Sequence, residues 1–285
     1  MILYKKVEDV QKQVSLWKEQ GYSVGFVPTM GALHEGHLSL IDTANAETDK
    51  VICSIFVNPT QFNEKSDFET YPRNTERDIE LLLSRDCAML FLPEPEAVYP
   101  EDYKVDYTLD FGMLDKRLEG AFRPGHFDGV AEVVKRLLDI VRPDVLFLGQ
   151  KDYQQFLIVQ SMIEQLDIPV KLQSVDIVRE PSGLARSSRN ERLSKDQRQA
   201  AALINETLVW VEKNFSIQDV ESLQKEGIKR IDSSELLKTE YLEMVDAKDL
   251  APLENKSACK KVLVCAAVWA GEVRLIDNRL IYIEE

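Results

Sequence analysis

The sequence predicts an α/β fold with a doubly wound parallel sheet and a smaller C-terminal α/β domain, on three observations. Short runs that are apolar throughout, such as "VICSIFVN" and "DVLFLG", recur along residues 1–178; longer segments of helical periodicity separate them; and the composition turns polar after Val178. Strands buried on both faces lack polar alternation, and intervening helices supply the crossovers that parallel strands need.

The elements follow in order. Val7, Val10, Val14 and Trp17 recur at helical spacing, and "VGFVP" after Gly21 is a short buried strand. A second helix opens near Gly36 or His37. "VICSIFVN" (51–58) is a strand, "RNTERDIELLLSRD" (73–86) a helix and "CAMLFLP" (87–93) a strand. A helix at about 128–141, "DVLFLG" (144–149), a helix over 153–167 and "VKLQSVDIV" (170–178) complete the first domain. "REPSGLARSSRNERLS", with Pro181 and Gly183, is a loop leading to a helix at 195–214; strands are expected at 238–246, 260–270 and 273–283. The domains are therefore 1–177 and 178–285, hinged near 178. Ligands of such sheets bind beyond the carboxyl ends of the strands, so the segments after Val27, Val57, Leu148 and Val178 should converge on one crevice.

Composition narrows the function classes. The chain has 285 residues, 44% of them hydrophobic, which suffices for a substantial core. Its 35 Lys+Arg stand against 49 Asp+Glu, a net charge of −14 that disfavours nucleic acid and anionic membrane as partners. "MILYKKVEDVQKQV" lacks the apolar core of a signal peptide, no run is long enough to span a bilayer, and the four cysteines show no metal spacing. A cytoplasmic protein is expected.

"FVPTMGALHEGHLSL" holds two of the three histidines, His34 and His37, around Gly36. Zinc is disfavoured: a metalloprotease helix spaces its histidines at i, i+4, and no cysteines supply further ligands. The plainer alternative is a pair of structural histidines. Against it, Pro28, Gly31 and Gly36 mark a turn directly after a strand, so the next helix would aim its N–H groups and positive dipole end into the crevice, where phosphate binds. That dipole also favours neutral imidazoles, which donate hydrogen bonds without carrying charge.

With its flanks, this stretch resembles the HxGH signature of nucleotidyl-transferring enzymes, and in particular the pantoate:beta-alanine ligase family. "SIFVNPTQF" (54–62), "RPGHFDGV" (123–130), "LFLGQKDYQQ" (146–155) and "VREPSGLARSSRNERLS" (178–194) are similar to further motifs of that family, in order. They cover most of the first domain and the hinge; few residues beyond about 200 carry the likeness.

The resemblance implies a Rossmann-like fold of the HxGH nucleotidyltransferase type, in which 1–177 binds ATP and pantoate and 178–285 closes as a lid. It implies a ligase that activates pantoate as an adenylate, condenses it with beta-alanine to pantothenate, and releases AMP and pyrophosphate. ATP contacts would come from Met30, Gly31, Ala32, Leu33, His34, Glu35, Gly36 and His37; from Gly149, Gln150, Lys151 and Asp152; and from Val178, Arg186, Ser187, Ser188 and Arg189. His37, His34, Lys151, Ser187, Ser188 and Arg189 would act on the phosphates with Mg²⁺, while Gln61, Gln155, Asn58 and Arg123 would bind substrate. No protein metal cage is expected, because Mg²⁺ prefers phosphate oxygens and water. A homodimer is implied.

The residues agree with this chemistry and leave some roles open. Lys151 offers a movable charge for phosphate, and Asp152 suits either ribose hydroxyls or a helix cap. "RSSRN" gathers two guanidinium groups and two hydroxyls in an acidic chain, as a triphosphate site would, or as a solvated linker would. His126 fits a structural cap as well as a substrate contact, and at position 186 some relatives carry an apolar residue. Three rival functions remain: an adenylyltransferase, disfavoured by "NPTQF" and "KDYQQ"; an aminoacyl-tRNA synthetase, disfavoured by the net charge; and a nucleotide-sensing module without catalysis.

Overall fold

Every strand of the larger sheet runs parallel to its neighbours, in the order 2–4, 89–91, 50–55, 24–29, 145–149 and 171–175. The computed structural model describes all residues except 59–70, 254–255, 257–258 and 284–285. It divides into two compact units, Met1–Asp176 and Ile177–Glu285.

In the first unit the strands are β1 (Ile2–Tyr4), β2 (Val24–Thr29), β3 (Lys50–Ile55), β4 (Met89–Phe91), β5 (Val145–Gly149) and β6 (Lys171–Val175). The main helices are α1 (Val7–Glu19), α2 (Glu35–Glu47), α3 (Thr75–Leu83), α4 (His126–Val141) and α5 (Tyr153–Gln165). Successive side chains of a strand point to opposite faces, and both faces here are buried. Val24, Phe26 and Ile52 join Val10, Val14 and Trp17 of α1 and Val130, Val134 and Leu137 of α4 in one core. Val27, Val51, Cys53 and Ile55 join Leu40, Ile41 and Ala44 of α2 and Leu82 of α3 in the other. This double burial is why the strands read as apolar throughout.

The chain winds outward from β2 to β3 and β4, then crosses back to lay β5 on the other side of β2. The switch in direction therefore lies between β2 and β5, where the loops leaving the two strands part and open a crevice. Residues 30–34 leave β2 there and residues 150–152 leave β5.

The second unit holds α6 (Lys195–Ala200), α7 (Ala202–Asn214) and α8 (Val220–Ile231), packed on an antiparallel sheet of β7 (Leu237–Asp246), β8 (Lys261–Ala270) and β9 (Val273–Tyr282). Gly271, at φ +60°, turns β8 tightly into β9.

Several boundaries differ from expectation. The last parallel strand covers 171–175 rather than 170–178, because it is an edge strand paired only with the five residues of β5. The expected helix at 195–214 is two helices meeting at Ala201. The edge strand β1 has only three residues, too few to show a period.

Candidate active site

The turn after β2 satisfies its amides one by one. Thr29 donates its hydroxyl to the Ser54 carbonyl (2.8 Å) and accepts from Gly31 N–H (3.2 Å). Asp78, on α3 and 2% exposed, accepts from Ala32 N–H at 2.9 Å and from Leu33 N–H at 2.7 Å. Gly31 and Ala32 both lie in the left-handed region, at φ +82° and +50°. A Cβ at position 31 would sit 3.1 Å from both Asp78 Oδ2 and Ile55 Cγ2, so a side chain there would strain the backbone and crowd both neighbours.

The two histidines then cap α2 reciprocally. His34, at the N-cap, accepts from Gly36 N–H through Nδ1 (3.1 Å), and His37 Nδ1 accepts from His34 N–H (3.3 Å). The rings lie against each other, tilted by 31°, with centroids 4.1 Å apart. A neutral imidazole that accepts at Nδ1 carries its proton on Nε2, so the geometry of both rings directs Nε2 to act as the donor. Burial, and secondly the positive charge of Lys151, lower the His37 pKa to about 4 and keep it neutral at pH 7.

α2 starts at Glu35, and the amides of Gly36, His37 and Leu38 are already taken, by His34 Nδ1 and the His34 carbonyl. The two imidazoles thus stand at the N-terminal end of α2 together with these bonded amides.

Across the switch point, β5 ends at Gly149 and a single turn, Gln150–Asp152, leads into α5. Lys151 is 3.9 Å from Asp152, with its side chain 18% exposed. Asp152 occupies the N-cap position of α5, but its side chain makes no capping bond, so capping does not explain it. Of the glutamines that follow, Gln154 is structural: it accepts from Glu119 N–H (3.1 Å) and donates to the carbonyls of Leu114 (2.6 Å) and Arg117 (2.8 Å). Gln155 is half-buried and outside that network.

Other expected substrate residues fall in varied settings. Asn58 is 1% exposed; its amide donates to the Gly129 carbonyl (3.2 Å) and accepts from Tyr99 OH (3.4 Å), so it also ties β3 to α4. Arg123 is half-buried just before α4, whose N-cap position is Gly125 and whose first residue is His126. Gln61 lies outside the described residues.

In the second unit, the loop carrying "RSSRN" is organised by acids. Arg179 forms a two-pronged bridge to Asp277 (2.6 and 3.0 Å). Glu180, its side chain 8% exposed, accepts from Arg198 Nε (2.8 Å) and a second Arg198 nitrogen (2.6 Å), and from Asn190 (3.1 Å). Arg198 and then Asn190, against the opposing effect of burial, hold the Glu180 carboxyl below its ordinary range. Arg186 stands 3.8 Å from Glu180, which is where its guanidinium is directed. Val178 accepts from Arg186 N–H (2.9 Å), and Ser187 caps the turn Ser188–Arg192 by accepting from Arg189 N–H (3.3 Å).

Sequence reasoning brought together His34, His37 and Lys151 in one unit and Ser187, Ser188 and Arg189 in the other. It missed Thr29, Asp78 and Glu180. Asp78 had a signal: it lies four residues before Leu82, on the helix face that otherwise buries. Among the described residues no three His, Cys, Asp or Glu side chains gather as metal ligands.

The chain matches the family model for pantoate-beta-alanine ligase over residues 2–280. It is 42% identical over 283 residues to a pantothenate synthetase of Thermotoga petrophila, covering 99% of this chain and all of that one. Pantothenate synthetase from Thermus thermophilus superposes with a TM-score of 0.92 at 37% identity, over 99% of this chain and 100% of the other. A pantoate-beta-alanine ligase from Francisella tularensis, solved with beta-gamma ATP and beta-alanine, gives 0.81 at 37% identity, over 98% and 97%.

Proposed function

We propose a stepwise adenylate mechanism for this chain, which belongs to the pantoate-beta-alanine ligase family. As a member it joins pantoate to beta-alanine, with ATP, to form pantothenate. In the first step a pantoate carboxylate oxygen attacks the α-phosphorus of ATP; the bond to the bridging oxygen breaks and pyrophosphate leaves. In the second the amine of beta-alanine attacks the acyl carbon, loses a proton and expels AMP.

The observation that carries this reading is the pair of imidazoles that accept backbone N–H bonds at Nδ1 and so leave Nε2 as the donor, with burial and Lys151 keeping His37 neutral, at the switch point of the sheet. Neutral donors do not form an ion pair with ATP in the ground state, and they strengthen as charge moves onto the leaving pyrophosphate. His37 follows that charge, with His34 and Lys151 on the phosphates. Residues 30–37 and 149–152 hold ATP; Gln155, Arg123, Asn58 and Gln61 hold pantoate. Residues 178–285 act as the lid that brings Ser187, Ser188 and Arg189 to the triphosphate, with Val178 and Arg186 contributing backbone. No covalent enzyme intermediate is involved. The cysteines are buried, and burial raises the Cys53 thiol strongly and Cys87 to about 11, far from nucleophilic thiolates.

Mg²⁺ would arrive on the triphosphate. Beside His37, Lys151 pairs with the acid Asp152 at 3.9 Å, which fits a metal held mainly by phosphate oxygens and water. The reading also carries a homodimer and a cytoplasmic location. Four free, buried cysteines suit a reducing compartment, and among the described residues no helix is long and apolar enough to cross a membrane.

The test is isotope exchange. Labelled pyrophosphate should enter ATP in the presence of pantoate and Mg²⁺ and without beta-alanine. Exchange that appears only when the amine is added would reject the adenylate.

A further inference from the structure

We infer that Asp78 is a positioning residue of the histidine site: a buried carboxylate on α3 that clamps the turn 31–33 and so sets the stance of His34 and His37. The inference rests on the proposed catalytic role of that pair and deepens it.

The turn has little to hold it otherwise. Gly31 and Ala32 are consecutive left-handed residues, at φ +82° and +50°, and an alanine leaves that region readily when nothing restrains its peptide. Its restraint comes from outside: Asp78 Oδ2 accepts from Ala32 N–H (2.9 Å) and Oδ1 from Leu33 N–H (2.7 Å). The acid is 2% exposed, so the bonds are shielded from water. The next amide, that of His34, donates to His37 Nδ1, and this bond assigns the His37 proton to Nε2. One carboxylate thus fixes two consecutive peptide planes, and the plane that follows them carries the His34 amide that orients the imidazole. Asp78 touches the turn and acts through it.

Asparagine at position 78 keeps the shape but turns one acceptor into a donor facing a donor. Two variants guard against failure to fold: Asp78→Asn, and Asp78→Ser, which is short enough to admit water. Leu82→Ala serves as control, because Leu82 is fully buried on the same helix and its apolar side chain accepts no hydrogen bond from the turn. Each protein is labelled with ¹⁵N-histidine and assayed for pantoyl adenylate formation in single turnover at saturating ATP and pantoate, beside a thermal melt.

Either Asp78 variant should shift the imidazole nitrogens of His34 and His37 in the ligand-free protein. It should also slow adenylate formation by about 10², the loss expected for misplacement of about 1 Å, chiefly in the rate at saturation. Leu82→Ala should lower the melting temperature but keep both imidazole signals, and its rate per folded molecule should stay within threefold of wild type. Unchanged imidazole signals in a folded Asp78 variant, or an equal rate loss in Leu82→Ala, would overturn the inference. A His37→Ala protein with wild-type rate would overturn the catalytic reading of the histidines and leave the clamp standing on its spectral evidence.

Discussion

Two loops of this protein are organised by a buried acid, and they are organised differently. The turn after β2 is clamped through its backbone: Asp78 accepts from two peptide N–H groups, and the cap of α2 is made by imidazoles. The loop before α6 is clamped through side chains: Glu180 accepts from Arg198 and Asn190 and draws Arg186 to within 3.8 Å. A backbone clamp fixes where the chain runs whatever the side chains do. It suits neutral donors that must stand in one place while charge develops. A side-chain clamp fixes cations instead, and leaves the loop dependent on the electrostatic balance between its acid and its guanidinium groups.

The largest separation between the two should come from His37→Ala. If the backbone-clamped loop holds the donor that follows pyrophosphate, this change costs about 2.7–4 kcal/mol in the first step, or roughly 10²–10³ in single-turnover rate. Stability should change by only about 1 kcal/mol, the scale of a helix cap, which a thermal melt would read as a few degrees. A stable variant within threefold of the wild-type rate would remove the catalytic distinction between the loops.

Next in size is Glu180→Ala, which should act on stability before rate. It strands Arg198 and Asn190, and a pair with one buried and one half-exposed partner falls between surface and buried magnitudes, at about 2 kcal/mol in denaturant unfolding. Should Glu180→Ala leave stability untouched, the side-chain clamp is not the device that orders the second loop.

A third effect is one of pH. With the His37 pKa lowered to about 4, first-step turnover should stay flat from pH 8 to about 5, with no loss near the ordinary value of 6.5. The same shift sets a stability window. The unfolded chain binds a proton at about 6.5 that the folded protein refuses until about 4, so this contribution is complete above 6.5 and is lost as pH falls towards 4. Melting temperatures at pH 7, 6 and 5 would show the decline with activity still constant.

Much of the frame was legible in the sequence. Strands β2, β3 and β5 read as apolar throughout because helices cover both faces, and the HxGH turn read as special because prolines and glycines interrupt two strong periodic segments. Lys151 was placed by the strand it follows. Asp78 stayed hidden because its role depends on a contact 45–46 residues away along the chain, between α3 and the turn. Glu180 stayed hidden because its partners Asn190 and Arg198 lie beyond a turn whose path the periodicity does not describe. The imidazole tautomers are likewise a matter of which N–H reaches which nitrogen, and spacing alone is silent on that.

The central claim is that His34 and His37 present neutral Nε2–H groups at pH 7, and nitrogen NMR of the ¹⁵N-histidine protein reads it directly. The chain has three histidines, so the substitutions His34→Gln and His37→Gln suffice to assign the signals. Both residues should show a protonated Nε2 and an unprotonated, accepting Nδ1, with His37 holding that state on titration from pH 8 to 5. A His37 ring protonated at both nitrogens at pH 6, or carrying its proton on Nδ1, would contradict the account.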